Sequence, residues 1–269
     1  MIDELEVDQR PLVVEASKPV LDVRNLRLSF GAVKALNEIS LHVNPGEILA
    51  IVGPNGAGKS SILNSISGFY RPNSGEIHFE GKEITGLHAN KVAKLGIART
   101  FQNIQLYLGM SVLDNLMAGR HIHSRGGVLR AVIRPWGMRE EVRQRKAVEE
   151  ILRFLELEPL RHTSVGTFGY GIRKRVDLGR ALAMEPRMLL LDEPMAGMTM
   201  DEKEDMVRFI LEIRKQRKIP IVLVEHDMQV ISAISDRVVV LDWGLHVATG
   251  QPDEVLRLPE VINAYLGSE

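Results

Sequence analysis

The stretch GPNGAGKSS at residues 53 to 61 matches the phosphate-loop pattern G-x-x-x-x-G-K-[ST]. Its glycines allow the backbone to fold around an anion, and a helix predicted from Ser60 adds its positive end. Lys59 supplies a charge for the β- and γ-phosphates, and the Ser60 hydroxyl can ligate Mg²⁺. A chance glycine-rich turn would explain the glycines, but not the strand predicted before them and the helix after them. The stretch therefore predicts binding of a nucleoside triphosphate with magnesium.

Two adjacent carboxylates, Asp192 and Glu193, end the apolar run of RMLLLDEP at residues 187 to 194. A buried strand here would deliver Asp192 to the carboxyl edge of the sheet, beside the phosphate loop, where it can hold the magnesium shell. Glu193 would then orient or deprotonate the attacking water. In a sequence without the phosphate loop, an acidic loop after a strand would be the better interpretation.

Two further polar side chains are predicted to reach the same edge. His226 ends the next apolar run, in VLVEHDM, and from there it can donate a hydrogen bond to a γ-phosphate. Gln102, in ARTFQN, lies where the core meets a helical segment, so it can reach both the metal and the water. Taken alone, each would be an ordinary structural residue, and only their place beside the carboxylates makes them site candidates.

The elements that must position these groups alternate between strands and helices. The runs EILAIV, RMLLLD, PIVLVEH and RVVVLD are short, apolar and rich in branched residues, which is typical of strands buried on both faces of a parallel sheet. Helical patterns such as SSILNSISG and DEKEDMVRFILEIRKQRK lie between them. This alternation predicts an α/β fold. Residues 20–44 and 75–84 alternate in shorter runs, which predicts antiparallel strands there.

A mostly helical segment from about residue 103 to 181 interrupts this rhythm and predicts an inserted helical subdomain. Its longest pattern, REEVRQRKAVEEILRFLEL, is expected to bury one stripe of side chains. The stripe consists of Val142, Val148, Ile151, Leu152 and Leu155.

Composition excludes several classes of function. The chain has 34 basic and 35 acidic residues, so no net charge attracts nucleic acid, and any phosphate recognition must be local. The absence of cysteine excludes disulfides, thiolate metal sites and a cysteine nucleophile. Residues 1–19 are predicted to form a polar tail, because acidic residues stand where a signal peptide needs basic ones.

The order of these motifs resembles that of the ATP-binding subunits of ABC transporters, from about residue 20 to residue 269. The segments GIARTFQNIQLY, LDEPMAGM, VEHDM, ISDR and AYLGSE are similar to LivG-type subunits, which energise import of branched-chain amino acids and related small substrates. The resemblance implies a P-loop NTPase (RecA-like) core with a parallel sheet, an N-terminal antiparallel β subdomain and an inserted helical subdomain. It also implies that ATP hydrolysis is coupled to transport.

The resemblance assigns roles to individual residues. The catalytic residues would be Lys59, Glu193 and His226, and the Mg²⁺ ligands would be Ser60, Gln102 and Asp192. The ATP-binding residues would be Phe30 (stacked on adenine), Gly53, Pro54, Asn55, Gly56, Ala57, Gly58, Lys59, Ser60, Ser61 and Gln102. The signature, which in this family closes on the nucleotide of a second ATP-binding subunit, would be Phe168, Gly169, Tyr170, Gly171 and Ile172, and the D-loop would be AGMT at 196–199.

The signature departs from the usual LSGGQ. Gly169 replaces its serine and has no hydroxyl, and Ile172 replaces its glutamine, while Gly171 and the following helix still offer backbone amides. The D-loop has Thr199 where many members have aspartate. These departures favour a heterodimer with a second ABC ATP-binding subunit that supplies an intact signature. The alternative is that Arg173 and Lys174 compensate and that a homodimer also works.

The resemblance further implies two multi-span permease subunits, an extracytoplasmic solute-binding protein and a peripheral position on the cytoplasmic face of a bacterial inner membrane. Residues 120–137, which include Trp136, could contribute to the permease contact, and plain packing of the helical subdomain explains their apolar residues equally well. Other ABC systems are the alternative: urea, amide or aromatic-acid import, lipopolysaccharide export, or a soluble ABC ATPase. A GTPase is disfavoured, because NKVA at residue 90 has alanine where the guanine-reading N-K-x-D needs aspartate.

Overall fold

The computed structural model describes residues 18–123 and 134–266, and side chains are described up to residue 122 and again from residue 141. Residues 1–17 of the predicted tail and most side chains of the segment 120–137, Trp136 among them, lie outside the described residues. Within the described part, no helix is both long enough and apolar enough to span a bilayer.

Six strands form the central sheet: β3 (Ile48–Val52), β6 (Ile97–Arg99), β7 (Met188–Asp192), β8 (Ile221–Val224), β9 (Arg237–Asp242) and β10 (Leu245–Gly250). Their order is β10-β9-β3-β8-β7-β6. Strands β9, β3, β8, β7 and β6 run parallel, and β10 pairs with β9 antiparallel. The predicted parallel sheet is confirmed. Strand β6 was not predicted, because three residues are too few to show a period.

A second, antiparallel sheet contains β1 (Leu21–Phe30), β2 (Val33–Val43), β4 (Ser74–Phe79) and β5 (Lys82–Glu83), in the order β2-β1-β4-β5. It corresponds to the short alternating runs at 20–44 and 75–84. The helices are α1 (Lys59–Ile66), α2 (Ala89–Lys94), α3 (Val112–Arg120), α4 (Arg134–Phe154), α5 (Tyr170–Ala183), α6 (Met200–Arg217), α7 (Met228–Ile234), α8 (Pro252–Val255) and α9 (Pro259–Leu266).

Both faces of the central sheet are covered, which explains why its inner strands β3 and β8 are apolar and buried at every position. In β7, Leu189 and Leu191 pack with residues of α3 to α6, whereas Leu190 packs with α1 and the antiparallel sheet. Fully burying such a side chain contributes about 1.5–3 kcal/mol, so the buried strands stabilise the fold strongly. They also give the site residues at the edge of the sheet a rigid support.

The predicted stripe of α4 is right at four positions and wrong at Val142. Val148, Ile151, Leu152 and Leu155 are buried, but 68% of Val142 is exposed. Six residues before Val148, Val142 projects from a different face of a helix that turns every 3.6 residues.

The polar residue Gln144, four before Val148, takes the place on the stripe that Val142 was expected to fill. Its Oε1 accepts a hydrogen bond from Nε of the buried Arg120, whose Nη1 donates to the carbonyl of Ala183 at 2.9 Å. This polar contact joins α3, α4 and α5 and could not be found from a hydrophobic pattern.

Thr199 is the N-cap of helix α6 and forms a capping box with Glu202. The Thr199 side chain accepts from the Glu202 N–H, and Glu202 Oε2 accepts from the Thr199 N–H at 3.0 Å. The residue noted above as a departure from aspartate is therefore a helix cap, a role that threonine and aspartate both perform.

Candidate active site

The phosphate loop, Gln102, Asp192 and His226 follow the carboxyl ends of four neighbouring parallel strands, β3, β6, β7 and β8. Parallel strands end at the same edge of a sheet, and ligands of open α/β sheets bind at that edge. The sequence-predicted residues are brought together for this reason, although up to 173 positions separate the loop at 53 from His226.

The loop itself depends on glycine at two crowded positions. At Gly53, with φ 147°, an added Cβ would lie 2.1 Å from the carbonyl oxygen of Leu241. At Gly58, with φ 101°, it would lie 2.6 Å from the carbonyl oxygen of Ala35. Pro54 and Ala57 are buried and pack the loop onto the core, while Asn55, Gly56 and Ser60 are exposed and Ser61 is half-buried.

Lys59 begins α1 and its side chain folds back over the loop. Its Nζ donates to the carbonyl oxygens of Gly53 at 2.6 Å and Pro54 at 2.8 Å. Burial lowers the pKa of Lys59, and the negative charges of Glu193 and Asp192 act in the opposite direction. A hydrogen bond from an ammonium to a phosphate anion is stronger than one to a neutral carbonyl. A phosphate can therefore replace the two carbonyls that Lys59 binds in this structure.

Glu193 is the centre of a hydrogen-bonded cluster. Its backbone is left-handed, with φ 48°, which is uncommon for a residue with a side chain. Gln102 Nε2 donates to Glu193 Oε2 at 2.9 Å, and His226 Nε2 lies 2.8 Å from Glu193 Oε1. Three of the residues singled out from sequence are therefore in direct contact.

The buried residue Glu225 supports this cluster from behind and was not singled out from sequence. Its carboxylate accepts from the backbone N–H groups of Met195 at 2.9 Å and His226 at 3.1 Å. Burial raises the pKa of Glu225, and these two hydrogen bonds oppose that rise. Glu225 thereby fixes both the backbone of His226 and the start of the D-loop.

Asp192 is buried and has one paired and one unpaired oxygen. Oδ2 accepts from Arg99 Nη2 at 2.8 Å, whereas Oδ1 is buried without a hydrogen-bond partner. Sequence reasoning missed Arg99, the last residue of β6, whose Nη1 also donates to Asn64 and Ser67 of the α1 region at 2.7 and 2.9 Å. A buried, unpartnered carboxylate oxygen beside a phosphate loop suits a magnesium shell, so Asp192 fits the predicted metal.

Phe30, predicted to stack on adenine, ends β1 and is half exposed. Its ring meets the ring of Tyr70 edge to face, with 5.1 Å between the centroids. Tyr70, which was not predicted, belongs to the segment after α1, so the two aromatic residues lie close to the helix that follows the phosphate loop.

The signature begins α5. Gly169 is its N-cap without a side-chain cap, Tyr170 and Gly169 are exposed, and Gly171 is buried against the Glu202 carboxylate. Phe168 and Ile172 are half-buried and pack against the core of the helical segment. Ile172 therefore replaces the usual glutamine with a packing contact.

The alternative in which Arg173 and Lys174 compensate for these departures needs both side chains to face a partner, and in this chain both bind their own backbone. The Lys174 ammonium is buried and donates into its own chain, to the carbonyl oxygens of Glu193 at 2.8 Å and Gln102 at 3.2 Å. Arg173 Nη2 donates to the Gly166 carbonyl at 2.8 Å. A charge count along the sequence could not show the direction in which the lysine side chain points.

Tyr265 of α9, which belongs to the C-terminal segment AYLGSE, lies half-buried beside the phosphate loop. Burial raises the pKa of Tyr265 to about 12, and a hydrogen bond with the Gly53 backbone opposes that rise. The C-terminal helix thus contacts the first residue of the phosphate loop, a connection of more than 200 positions that no local pattern predicts.

Two glycine substitutions in the loop should differ sharply in cost. Gly53→Ala must displace the Leu241 backbone, so we expect the free energy of unfolding to fall by more than about 3 kcal/mol. Gly56→Ala also has a positive φ, 83°, but its Cβ meets nothing within 4 Å, so only the backbone cost of about 1–2 kcal/mol applies. Urea denaturation without nucleotide measures both, and equal losses would contradict this geometry.

Comparison with known proteins agrees with the geometry. Residues 36–196 match the ABC transporter family. The chain is 37% identical over 254 residues to the high-affinity branched-chain amino acid transport ATP-binding protein BraF of Pseudomonas aeruginosa, covering 93% of this chain and 99% of BraF. It is 34% identical to LivG of Escherichia coli, a protein of the same description, with the same coverage.

Among solved structures, the ADP conformation of MJ1267, an ATP-binding cassette of an ABC transporter, is similar with a TM-score of 0.82 and 32% identity. The match covers 94% of this chain and 100% of that cassette. A nucleotide-free cassette from an ABC transporter gives a TM-score of 0.81 at 32% identity, covering 92% and 98%. The P-loop NTPase fold is confirmed, and the chain belongs to the ABC transporter family, as one of its ATPases.

Proposed function

We propose that this chain binds and hydrolyses ATP to energise an ABC importer for branched-chain amino acids or related small polar substrates. The observation that carries the substrate class is full-length similarity to BraF and LivG, both described as branched-chain amino acid transport ATP-binding proteins. The proposal that the chain hydrolyses ATP is supported by the contact of Gln102 and His226 with the Glu193 carboxylate.

In this proposal the backbone amides of the loop 53–58 and the positive end of α1 bind the phosphates, and Lys59 leaves its carbonyl partners for the β- and γ-phosphates. Phe30 stacks on adenine with Tyr70 beside it. Ser60, Gln102 and Asp192 would hold Mg²⁺, which would neutralise charge on the phosphates. Arg99 already pairs with Asp192 Oδ2, so the unpartnered Oδ1 is the oxygen that would serve the metal shell.

Glu193 orients the attacking water and accepts its proton. His226 holds the carboxylate in this geometry and donates to the γ-phosphate when ATP is present. Because Gln102 contacts Glu193 and also begins the connection to the helical segment, movement of that segment changes the position of the catalytic carboxylate.

We further infer that the functional unit is a heterodimer with a second ABC ATP-binding subunit. Gly169 has no hydroxyl to offer, Ile172 packs against the core, and the Lys174 ammonium points into its own chain. The charged and polar groups that would normally reach the partner's γ-phosphate are therefore absent or turned away. A homodimer remains the competing arrangement.

The permease subunits have a candidate contact close to Gln102. Tyr107, Leu108 and Met110 lie between β6 and α3 and are 57%, 50% and 41% exposed. Exposed apolar side chains suit a contact with another protein, and their position would let a permease loop act on Gln102. We infer a peripheral position on the cytoplasmic face of a bacterial inner membrane, with an extracytoplasmic protein selecting the solute.

Uptake in cells that lack this chain tests the substrate class. Wild-type protein should restore uptake of radiolabelled leucine, isoleucine or valine, and Glu193→Gln should not, because the base is lost while the fold is kept. Uptake of urea and of an aromatic acid serves as the control. Loss of one of these in the deletion strain, with leucine uptake normal, would reassign the substrate.

Light scattering of purified Glu193→Gln protein with ATP and magnesium tests the heterodimer. Slow hydrolysis should trap any closed pair, and we expect the chain to stay monomeric until a second ATP-binding subunit of the same transporter is added. Wild-type protein with ADP is the matched control. A stable pair formed by this chain alone would show that its own signature still closes on ATP.

A further inference from the structure

Lys174 is a buried lysine held by two backbone carbonyls at the catalytic site. It is 3% exposed, and its Nζ donates to the carbonyl oxygens of Glu193 at 2.8 Å and Gln102 at 3.2 Å. Within residues 18–123 and 134–266, no carboxylate lies within ion-pair distance of it. A lysine is almost never buried unless other groups compensate for its lost hydration, and here the two carbonyls do so.

The charges around the lysine keep its environment negative. Burial lowers the pKa of Lys174, and the nearby charges of Asp177, Glu225, Glu193 and Asp192 act against that lowering. The Nζ also lies 5.5 Å from the centroid of the Tyr170 ring, which makes a cation–π interaction. A charged donor makes a stronger hydrogen bond to a carbonyl than a neutral one does.

The bond to Glu193 fixes an unusual backbone. Glu193 has a φ of 48°, its N–H donates to the Val224 carbonyl at 2.9 Å, and its own carbonyl accepts from Lys174. A left-handed residue with a side chain persists only when its surroundings hold it. With both peptide groups fixed, the Glu193 side chain leaves the backbone in one direction, and its carboxylate meets Gln102 and His226.

The lysine belongs to the helix that carries the signature. Lys174 lies three residues after Gly171 in α5, one turn from the surface predicted to meet the partner's nucleotide. Tyr170 of the same turn places its hydroxyl 3.4 Å from the Gln102 carbonyl. A Cβ added to Gly197 of the D-loop would lie 3.3 Å from the Tyr170 ring. The first turn of α5 thus contacts the Gln102 segment, Glu193 and the D-loop of its own chain.

We propose that Lys174 is a positioning residue that transmits the position of the signature helix to Glu193 and Gln102 of the same chain. This rests on the proposed function, in a heterodimer where the backbone amides at the start of α5 face ATP bound to the second subunit. When α5 moves toward that nucleotide, the ammonium carries the Glu193 and Gln102 carbonyls with it. The state of the partner's site would then set the geometry of this chain's catalytic carboxylate without any change at the phosphate loop.

The test compares Lys174→Met, Lys174→Arg and the control Lys215→Met in the assembled transporter. Lys215 lies exposed at the end of α6, so its loss removes an ammonium away from the site. The measurements are kcat and KM for ATP, the melting temperature, and the number of ATP molecules bound per complex.

We expect Lys174→Met to lower kcat roughly ten- to a hundredfold, with KM changed by less than about twofold, because the phosphate loop is untouched. Lys174→Arg keeps a charged donor and should recover part of the loss at the same KM. The control variant should match wild type in every measurement. If Lys174→Met does not assemble, Lys174→Arg should still lower kcat by roughly two- to fivefold at unchanged KM.

A wild-type kcat in a stable Lys174→Met complex would overturn the inference. So would a loss of kcat matched by an equal loss of bound ATP, which would mean a purely structural role. These outcomes are distinct from failure of the proposed function, in which the wild-type complex itself would not hydrolyse ATP.

Discussion

The constraint on which the site depends is the left-handed backbone of Glu193, with φ 48°. That conformation turns the chain sharply just after β7 and presents the carboxylate at the sheet edge, next to Asp192. It costs about 1–3 kcal/mol for a residue with a side chain, so it must be held from outside. The Val224 carbonyl and the Lys174 ammonium hold the two peptide groups of Glu193, and Gln102 and His226 hold its carboxylate.

The same edge gathers buried charges that would be costly elsewhere in the fold. Arg99 with Asp192, Lys174 with two carbonyls, and Glu225 with two backbone N–H groups each place a polar group in the interior with its partner already present. Groups fixed in this way need little reorganisation when a phosphate arrives, which is how such sites stabilise developing charge. The apolar, two-sided sheet supplies the rigidity that keeps the partners at these distances.

Sequence alone was sufficient wherever a motif coincides with the end of a parallel strand. The loop at 53–61, Asp192, Glu193 and His226 could be placed together because strand ends share an edge, and the α/β fold followed from the same runs. Val142 was wrongly assigned to the buried stripe because its separation of six residues from Val148 does not fit the 3.6-residue period of a helix. Arg99, Lys174 and Tyr265 could not be assigned, because their roles depend on which way a long side chain points and on contacts between distant segments.

The central claim is that Gln102 and His226 act through one carboxylate, that of Glu193. A double-mutant cycle on kcat for ATP hydrolysis, with Gln102→Ala, His226→Ala and the double variant, tests it most directly. Because both side chains hold the same carboxylate, the double variant should lose clearly less than the product of the two single losses, although Gln102 also serves the metal and His226 the γ-phosphate. Losses that multiply in full would show that the two side chains act independently and would contradict this account.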